Sequence, residues 1–251
     1  MSSSKMTIYH ISDIHLGESG VHTQDFRRIL DGIEQESQKV DSPLLLVTGD
    51  LTSDGLREEY EDFAREFSKI DISNIIIPGN HDERNYGSSV FEELFGSRFK
   101  TFDNDLIAMF AVDSAEPDND AGHVGRENYS RIRRFFKKKE NKIKIFVLHH
   151  HLVAIPHTGR EHNVVEDAGD LLSILSEVGC SLVLHGHRHV PWYWNLNGMS
   201  LYCTGTLLSR RIRGAHSQAY TRIELDEGSA SFQLHEMDGI VSDFAQVQLH
   251  P

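Results

Sequence analysis

Residues 181–190 read "SLVLHGHRHV", an apolar run that stops abruptly at three histidines two residues apart, with Gly186 and Arg188 between them. The run has the length and side chains of a buried strand, yet packing gives no reason for His185, His187 and His189 at its end. In an extended segment alternate side chains share a face, so His187 and His189 are expected to point the same way across the Gly186 turn. Imidazole is the commonest metal ligand among protein side chains.

The same arrangement recurs upstream. Residues 7–12 read as a strand, and Phe26, Ile29, Leu30 and Ile33 then fall at helical spacing before "PLLLVTGD", residues 43–50, gives a second strand. Tyr60, Phe63, Ala64 and Phe67 mark a second helix, and "NIIIPGNHD", residues 74–82, is a third strand ending in a Gly turn. "LIAMFAVDS" and "KIKIFVLHHH" add two more strands, with a basic amphipathic helix over 129–139 between them. Runs apolar on both faces belong at the centre of sheets covered by helices. Beyond residue 190 the pattern alternates, and the Asn197-Gly198 and Glu227-Gly228 turns predict antiparallel hairpins. No repeat and no linker divides the chain, so residues 1–251 are expected to form one domain.

Composition limits the function. A formal net charge of -13 over 251 residues argues against a protein that grips a nucleic-acid backbone or an anionic membrane, both of which need clustered Lys and Arg. No run reaches the roughly 18 apolar residues of a membrane span, and the first residues lack a signal-peptide h-region. A soluble, cytoplasmic protein is expected, and a homo-oligomer such as a dimer is compatible with the sequence. Cys180 and Cys203 lie in apolar runs without any CxxC pairing and read as small buried hydrophobes.

Chemistry-bearing residues collect where strands end. The first strand leads into Asp13-x-His15, the second into Gly49-Asp50, the third into Gly79-Asn80-His81-Asp82, a later one into His149-His150-His151, and the last into Gly186-His187-x-His189. Taken singly, Gly-Asp or Gly-Asn after a strand is ordinary turn chemistry. Five such clusters in series, at strand ends where α/β sheets build their sites, point to one convergent centre. Carboxylate and imidazole without thiolate suit Mn, Fe, Zn or Co, and a carboxylate such as that of Asp50 can bridge two ions, an arrangement suited to phosphoryl chemistry.

The order D-x-H, G-D, G-N-H-D, H, G-H-x-H resembles the signature of calcineurin-like metallophosphoesterases, with every block present between Asp13 and His189. "SDIHLG", "TGDLTSDG", "PGNHD" and "VDS" read most like the class III cyclic nucleotide phosphodiesterases and their glycerophosphodiesterase relatives. The resemblance implies an α/β fold, a four-layer α-β-β-α sandwich of two mixed sheets with flanking helices. It implies two divalent metal ions: Asp13, His15 and His189 for the first, Asn80, His149 and His187 for the second, and Asp50 between them. His150 is the alternative to His149. His81 would meet the phosphate and assist the leaving group, with Asp82 orienting it. His185, which the family pattern does not require, is expected in the core or behind the ligands.

The segment after residue 151 is long and rich in His, Arg and Asn, so His157, Arg160, His162 and Asn163 are candidate substrate contacts, with a solvated loop or a subunit contact as the alternative. Arg210, Arg211 and Arg213 stand out in an acidic chain and suit either phosphate or surface ion pairs. The expected activity is hydrolysis of a small phosphodiester, a cyclic nucleotide or an aryl diester, by a metal-activated hydroxide. A phosphomonoesterase acting on nucleotides or phosphoproteins is the alternative, and an inactive binding scaffold on the same fold a third reading. Polymeric nucleic acid and membrane are not expected partners.

Overall fold

A computed structural model describes residues 5–159 and 164–250. In chain order the elements are β1 (Met6–Ile11), α1 (Thr23–Ser37), β2 (Pro43–Thr48), α2 (Arg57–Phe67), β3 (Asn74–Ile77), a 3₁₀ segment (His81–Tyr86), α3 (Gly87–Phe95), β4 (Lys100–Asp103) and β5 (Ile107–Ala111). Then follow α4 (Arg126–Phe136), β6 (Ile143–Val147), α5 (Ala168–Glu177), β7 (Leu182–His185), β8 (Trp192–Leu196), β9 (Met199–Cys203), β10 (Ala219–Leu225), β11 (Ser229–Glu236) and β12 (Val241–Gln248).

The strands form two six-stranded sheets, ordered β12-β11-β10-β1-β2-β3 and β4-β5-β6-β7-β9-β8. Both are mixed. β1 runs parallel to β2 and antiparallel to β10, while β5, β6, β7 and β9 run parallel and are flanked by antiparallel β4 and β8. Alternation along each strand assigns its two faces. Ile8, Leu44 and Leu46 face Ile107, Met109, Ile145 and Leu184 of the other sheet, whereas Tyr9, Ile11, Leu45 and Val47 face Phe26, Leu30, Tyr60 and Phe63 of α1 and α2. On the far side Phe110, Phe146 and Val183 pack on Tyr129, Ile132, Leu171 and Ile174 of α4 and α5. The result is the expected four layers, α-β-β-α, and it explains why the central strands are apolar on both faces.

The C-terminal hairpins form at the expected turns. Asn197 and Gly198, at φ 51° and 89°, join β8 to β9, and residues 226–228 join β10 to β11. Four elements had no clear sequence signal: α3, the four-residue β4, α5 and the half-exposed edge strand β12. No helix among the described residues is long and apolar enough to cross a membrane.

The inter-sheet layer generates a stability prediction. Leu46 is fully buried there, so Leu46→Ala should destabilise the protein by about 2–5 kcal/mol in urea unfolding, the usual cost of a cavity at such a site. Ile240→Ala, at an exposed position, should change stability by no more than about 0.5 kcal/mol. Equal effects would contradict this assignment of layers.

Candidate metal centre

Asp13 and His15 follow β1, Asp50 follows β2, Asn80 follows β3, His149 follows β6, and His187 and His189 follow β7. All seven are buried, at the seam where the two sheets meet. Five of them turn out of their strands through the left-handed region: Asp13 at φ 55°, His15 at 53°, Asp50 at 52°, His187 at 73° and His189 at 54°. Non-glycine residues there cost of order 1–3 kcal/mol each when strained, and such residues cluster at functional sites. This corrects the expected extended geometry of residues 187–189. β7 ends at His185, and the two imidazoles converge through positive φ angles rather than through strand alternation.

The motif glycines permit the close approach. A Cβ on Gly79 would lie 2.3 Å from Asp50 Oδ1, and one on Gly186 would lie 1.9 Å from Ser12 Oγ and 2.6 Å from Asp13 Oδ2. Without side chains at these positions, the ends of β1, β2, β3 and β7 can crowd against one another.

Among the described residues two groups have the geometry to hold a metal ion: Asp13, His15, Asp50 and His189, and Asp50, His149 and His187. Asp50 belongs to both. Its Oδ2 lies 3.5 Å from His15 Nε2 and 3.4 Å from His149 Nε2, while Oδ1 accepts from the His81 backbone N–H at 2.9 Å. In the first group His189 Nε2 is 3.1 Å from Asp13 Oδ1 and 3.2 Å from His15 Nε2. In the second, Asn80 Oδ1 is 3.1 Å from His149 Nε2 and 3.0 Å from His187 Nδ1.

Whether these atoms suit a cation follows from their partners. His149 Nδ1 donates to the Thr48 carbonyl at 2.6 Å, and His189 Nδ1 donates to the Arg211 carbonyl at 2.9 Å. Each ring therefore offers a lone pair at Nε2 in its neutral form, the arrangement that orients metal-binding histidines. Asp13 Oδ1, Asp50 Oδ2 and Asn80 Oδ1 are acceptors as well, so lone pairs face one another in a buried space. Asp13 Oδ1 has no hydrogen-bond partner. Such a set fits a cation. The electrostatics agree: burial would lower the pKa of His149, yet the Asp50 and Asp13 carboxylates raise it to about 9, so the site attracts positive charge. Burial lowers His15 to about 3 and holds His187 well below the ordinary value, leaving both as neutral ligands.

The neighbouring histidines divide clearly. His150 Nδ1 lies 2.9 Å from Ser114 Oγ and its ring sits outside both groups, which places His149, not His150, among the potential ligands. His151 packs between His185 and His187, and burial lowers it to about 2 and His185 to about 4. His185 Nδ1 is 3.2 Å from the Gly186 carbonyl, so this residue belongs to the core behind the ligands.

For Asp82 the structure differs from the expectation. Its carboxylate accepts from the backbone N–H groups of Leu51, Thr52 and Gly79 and from Thr52 Oγ1, joining the turns after β2 and β3. Four donors use up its acceptor capacity, and the His81 ring is held instead by the Ser53 carbonyl, 2.5 Å from Nδ1. Arg84 Nη1 also lies 2.8 Å from Nδ1, so the contacts at Nδ1 fix the place of the ring rather than its proton, and Nε2 is left for a ligand.

Above the two groups lies a cavity of about 150 Å³ with Asp50, Asn80, His187 and His189 at its base, His81 on its wall, and Arg84, Arg188, Arg211, Arg213 and Asp120 around it. Arg213 donates to the Thr158 carbonyl, and among the described residues no carboxylate lies within 4.0 Å of it; Arg211 approaches Glu18 at 3.6 Å. Arg210 does not line the cavity. His157 is exposed with φ 63°, and Arg160, His162 and Asn163 lie outside the described residues. Sequence reasoning missed Arg84, Arg188, Ser114 and Asp120. Arg188 carried a signal, since it separates two expected ligands, whereas Asp120 lies in an irregular segment with no periodicity to mark it.

Comparison with known proteins places this geometry in context. A family model described as calcineurin-like phosphoesterase matches residues 6–191. The chain is 26% identical over 208 residues to a probable cyclic nucleotide phosphodiesterase of Xenorhabdus bovienii, covering 78% of this chain and 83% of that one. It is 23% identical over 254 residues to a 3′,5′-cyclic adenosine monophosphate phosphodiesterase of Haemophilus influenzae, covering 96% and 90%. Its fold is similar to that of a dimetal phosphatase from Danio rerio, with a TM-score of 0.77 at 11% identity over 97% of this chain and 98% of that one. That last likeness concerns the fold alone.

A buried charge cluster beside the His81 segment yields a pH prediction. Arg98 bridges Glu83, at 3.2 Å, and Asp113. Burial, and then the Asp113 charge, raise Glu83 to about 8, and burial raises Asp113 to about 6. Between the ordinary carboxyl value of 4.5 and about 8 the folded chain retains a proton on Glu83 that the unfolded chain releases. This contribution to stability therefore falls as pH rises through that window and levels off above it. Glu83→Gln should match wild type near pH 4.5 and exceed it by about 1 kcal/mol or more at pH 8.5 in urea unfolding. Equal destabilisation at both pH values would contradict the assignment.

Proposed function

The chain belongs to the calcineurin-like phosphoesterase family, and on that basis we propose that residues 1–251 act as one dinuclear-metal phosphodiesterase domain on a small diester, a cyclic nucleotide or an aryl phosphodiester. The observation that carries this reading is the Asp50 carboxylate, whose Oδ2 lies between two groups of inward-facing lone pairs beneath an arginine-rimmed cavity. Asp13, His15 and His189 would hold one ion, and Asn80, His149 and His187 the other, with Asp50 shared. The mixed oxygen and imidazole set suits Mn, Fe, Zn or Co. Bound there, two such cations would supply a more acidic water and positive charge against the phosphoryl oxygens. The unpaired, buried thiols of Cys180 and Cys203 suit a reducing compartment such as the cytoplasm.

The chain's own residues do the rest. His81 is tied through its backbone N–H to Asp50 Oδ1 and through Nδ1 to the Ser53 carbonyl, which holds its ring on the wall of the cavity. When Nε2 carries a proton, it is placed to donate a hydrogen bond to the phosphate and to pass that proton to the departing oxygen. Asp82 ties the turn carrying Asn80 and His81 to the one carrying Asp50, and so holds the ligands and the acid in one register. The arginines around the cavity favour an anionic substrate, although the chain as a whole carries a net charge of -13.

Two measurements test this reading. Metal-depleted protein should lose at least about a thousandfold in turnover, as expected where ions stabilise the transition state by several kcal/mol, and Mn or Co should restore it. Restored enzyme should prefer bis(p-nitrophenyl) phosphate and cyclic AMP to p-nitrophenyl phosphate. A preference for the monoester would favour a phosphatase, and full activity without metal would reject the dinuclear reading. For His81→Ala the expected loss is about a hundredfold or more in turnover with metal content unchanged. The loss should be smaller for a nitrophenolate leaving group than for an alkoxide, which needs its proton more. Lost metal, or equal loss on both substrates, would remove His81 from the acid role.

A further inference from the structure

Asn80 presents a chemical ambiguity. The two ends of a carboxamide have nearly the same shape, yet only the oxygen can bind a cation, and the nitrogen donates without accepting. In the second group the Asn80 end that faces inward stands 3.1 Å from His149 Nε2 and 3.0 Å from His187 Nδ1. Since the other nitrogen of His149 donates to Thr48, an inward NH2 would find a ready acceptor there. With His149 in the neutral form that ligation requires, a flipped amide would therefore be accommodated, and it would close the site.

The outward end decides the matter. Asn80 Nδ2 donates to Asp120 Oδ1 at 3.0 Å, and a carboxylate can only accept. The same oxygen accepts from Arg84 Nη2 at 3.0 Å. The Asp120 side chain is exposed, but the segment that carries it is held in place. That segment is closed by the Ala121 N–H to Asn119 Oδ1 bond and by the His123 N–H to Ser114 carbonyl bond. Gly122 rests on the His150 ring so closely that a Cβ would come within 2.6 Å of it. His150 in turn is held by Ser114.

We propose that Asp120 is a positioning residue for the second metal: it fixes the Asn80 amide with its oxygen inward, and its charge makes that oxygen a better donor to the ion. The proposal rests on the dinuclear reading given above. It also gives roles to the outer histidine of the His149-His150 pair, as the seat of the Asp120 segment, and to Arg84, which shares Asp120 with Asn80 and lies 2.8 Å from His81 Nδ1.

The test is Mn titration by calorimetry of wild type, Asp120→Ala, Asp120→Asn, Asn80→Ala and the Asp120→Ala/Asn80→Ala double variant, with melting temperatures measured in chelator. Wild type should bind two equivalents. Asp120→Ala should melt like wild type in chelator, keep its first-site affinity and lose about 10–100-fold at the second site, the usual effect of removing an outer partner of a metal ligand. Asp120→Asn, which can still accept from Asn80 Nδ2, should recover most of that loss. In the Asn80→Ala background, removal of Asp120 should have no further effect, because the two act through one contact. Two equivalents in wild type with unchanged second-site affinity in Asp120→Ala, or additive effects in the double variant, would overturn the proposal and leave the dinuclear reading intact. Fewer than two equivalents in wild type would overturn the dinuclear reading and the proposal with it.

Discussion

A carboxylate charge shared between two sets of lone pairs, with almost no water reaching it, is the constraint on which this structure turns. Asp50 is about 1% exposed and lies within 3.5 Å of an imidazole nitrogen from each sheet, those of His15 and His149. Burial by itself would push its proton on, but the surrounding imidazoles, His149 first, hold its pKa well below the ordinary value. A buried anion of this kind persists only if positive charge is held against it. The Asp82 staple, the close-approach glycines and the carbonyl-anchored imidazoles all serve to keep that arrangement open to a cation and closed to collapse.

The local backbone bears part of the cost. Regular strands cannot place Asp13, His15, Asp50, His187 and His189 around one point, so the chain leaves each strand through left-handed residues that only the surrounding packing keeps in place. Behind them, three apolar layers formed by ordinary alternation provide the rigidity. Strain at the strand ends and regularity in the strands are thus two parts of one arrangement.

Much of this was legible in the chain. Six strands and three helices followed from periodicity, although β3, expected at the centre of a sheet, lies at its edge, and the strand-end motifs include the residues of the two potential ligand groups. What periodicity could not reveal was short or irregular. β4 has four residues, β12 is a half-exposed edge, and α3 follows a 3₁₀ segment interrupted by left-handed Asn85 and Tyr86. The geometry of His187 and His189 was misread because alternation predicts faces only while a segment stays extended. The roles of Asp82 and Asp120 depend on partners 30 and 40 residues away, on Thr52 and Asn80, which no local pattern encodes.

Neither group of potential ligands belongs to a single sheet. Asp13, His15 and Asp50 come from one and His189 from the other, while Asn80 and Asp50 face His149 and His187 across the same seam. A cation bound in either group is therefore a cross-link between halves of the sandwich, and ligation and sheet docking draw on one free energy. Loosening of the inter-sheet layer far from the cavity would then be felt as weaker ion affinity, and occupancy of the ion sites as resistance to unfolding. For such a chain, metal supply would bear on persistence as well as on turnover.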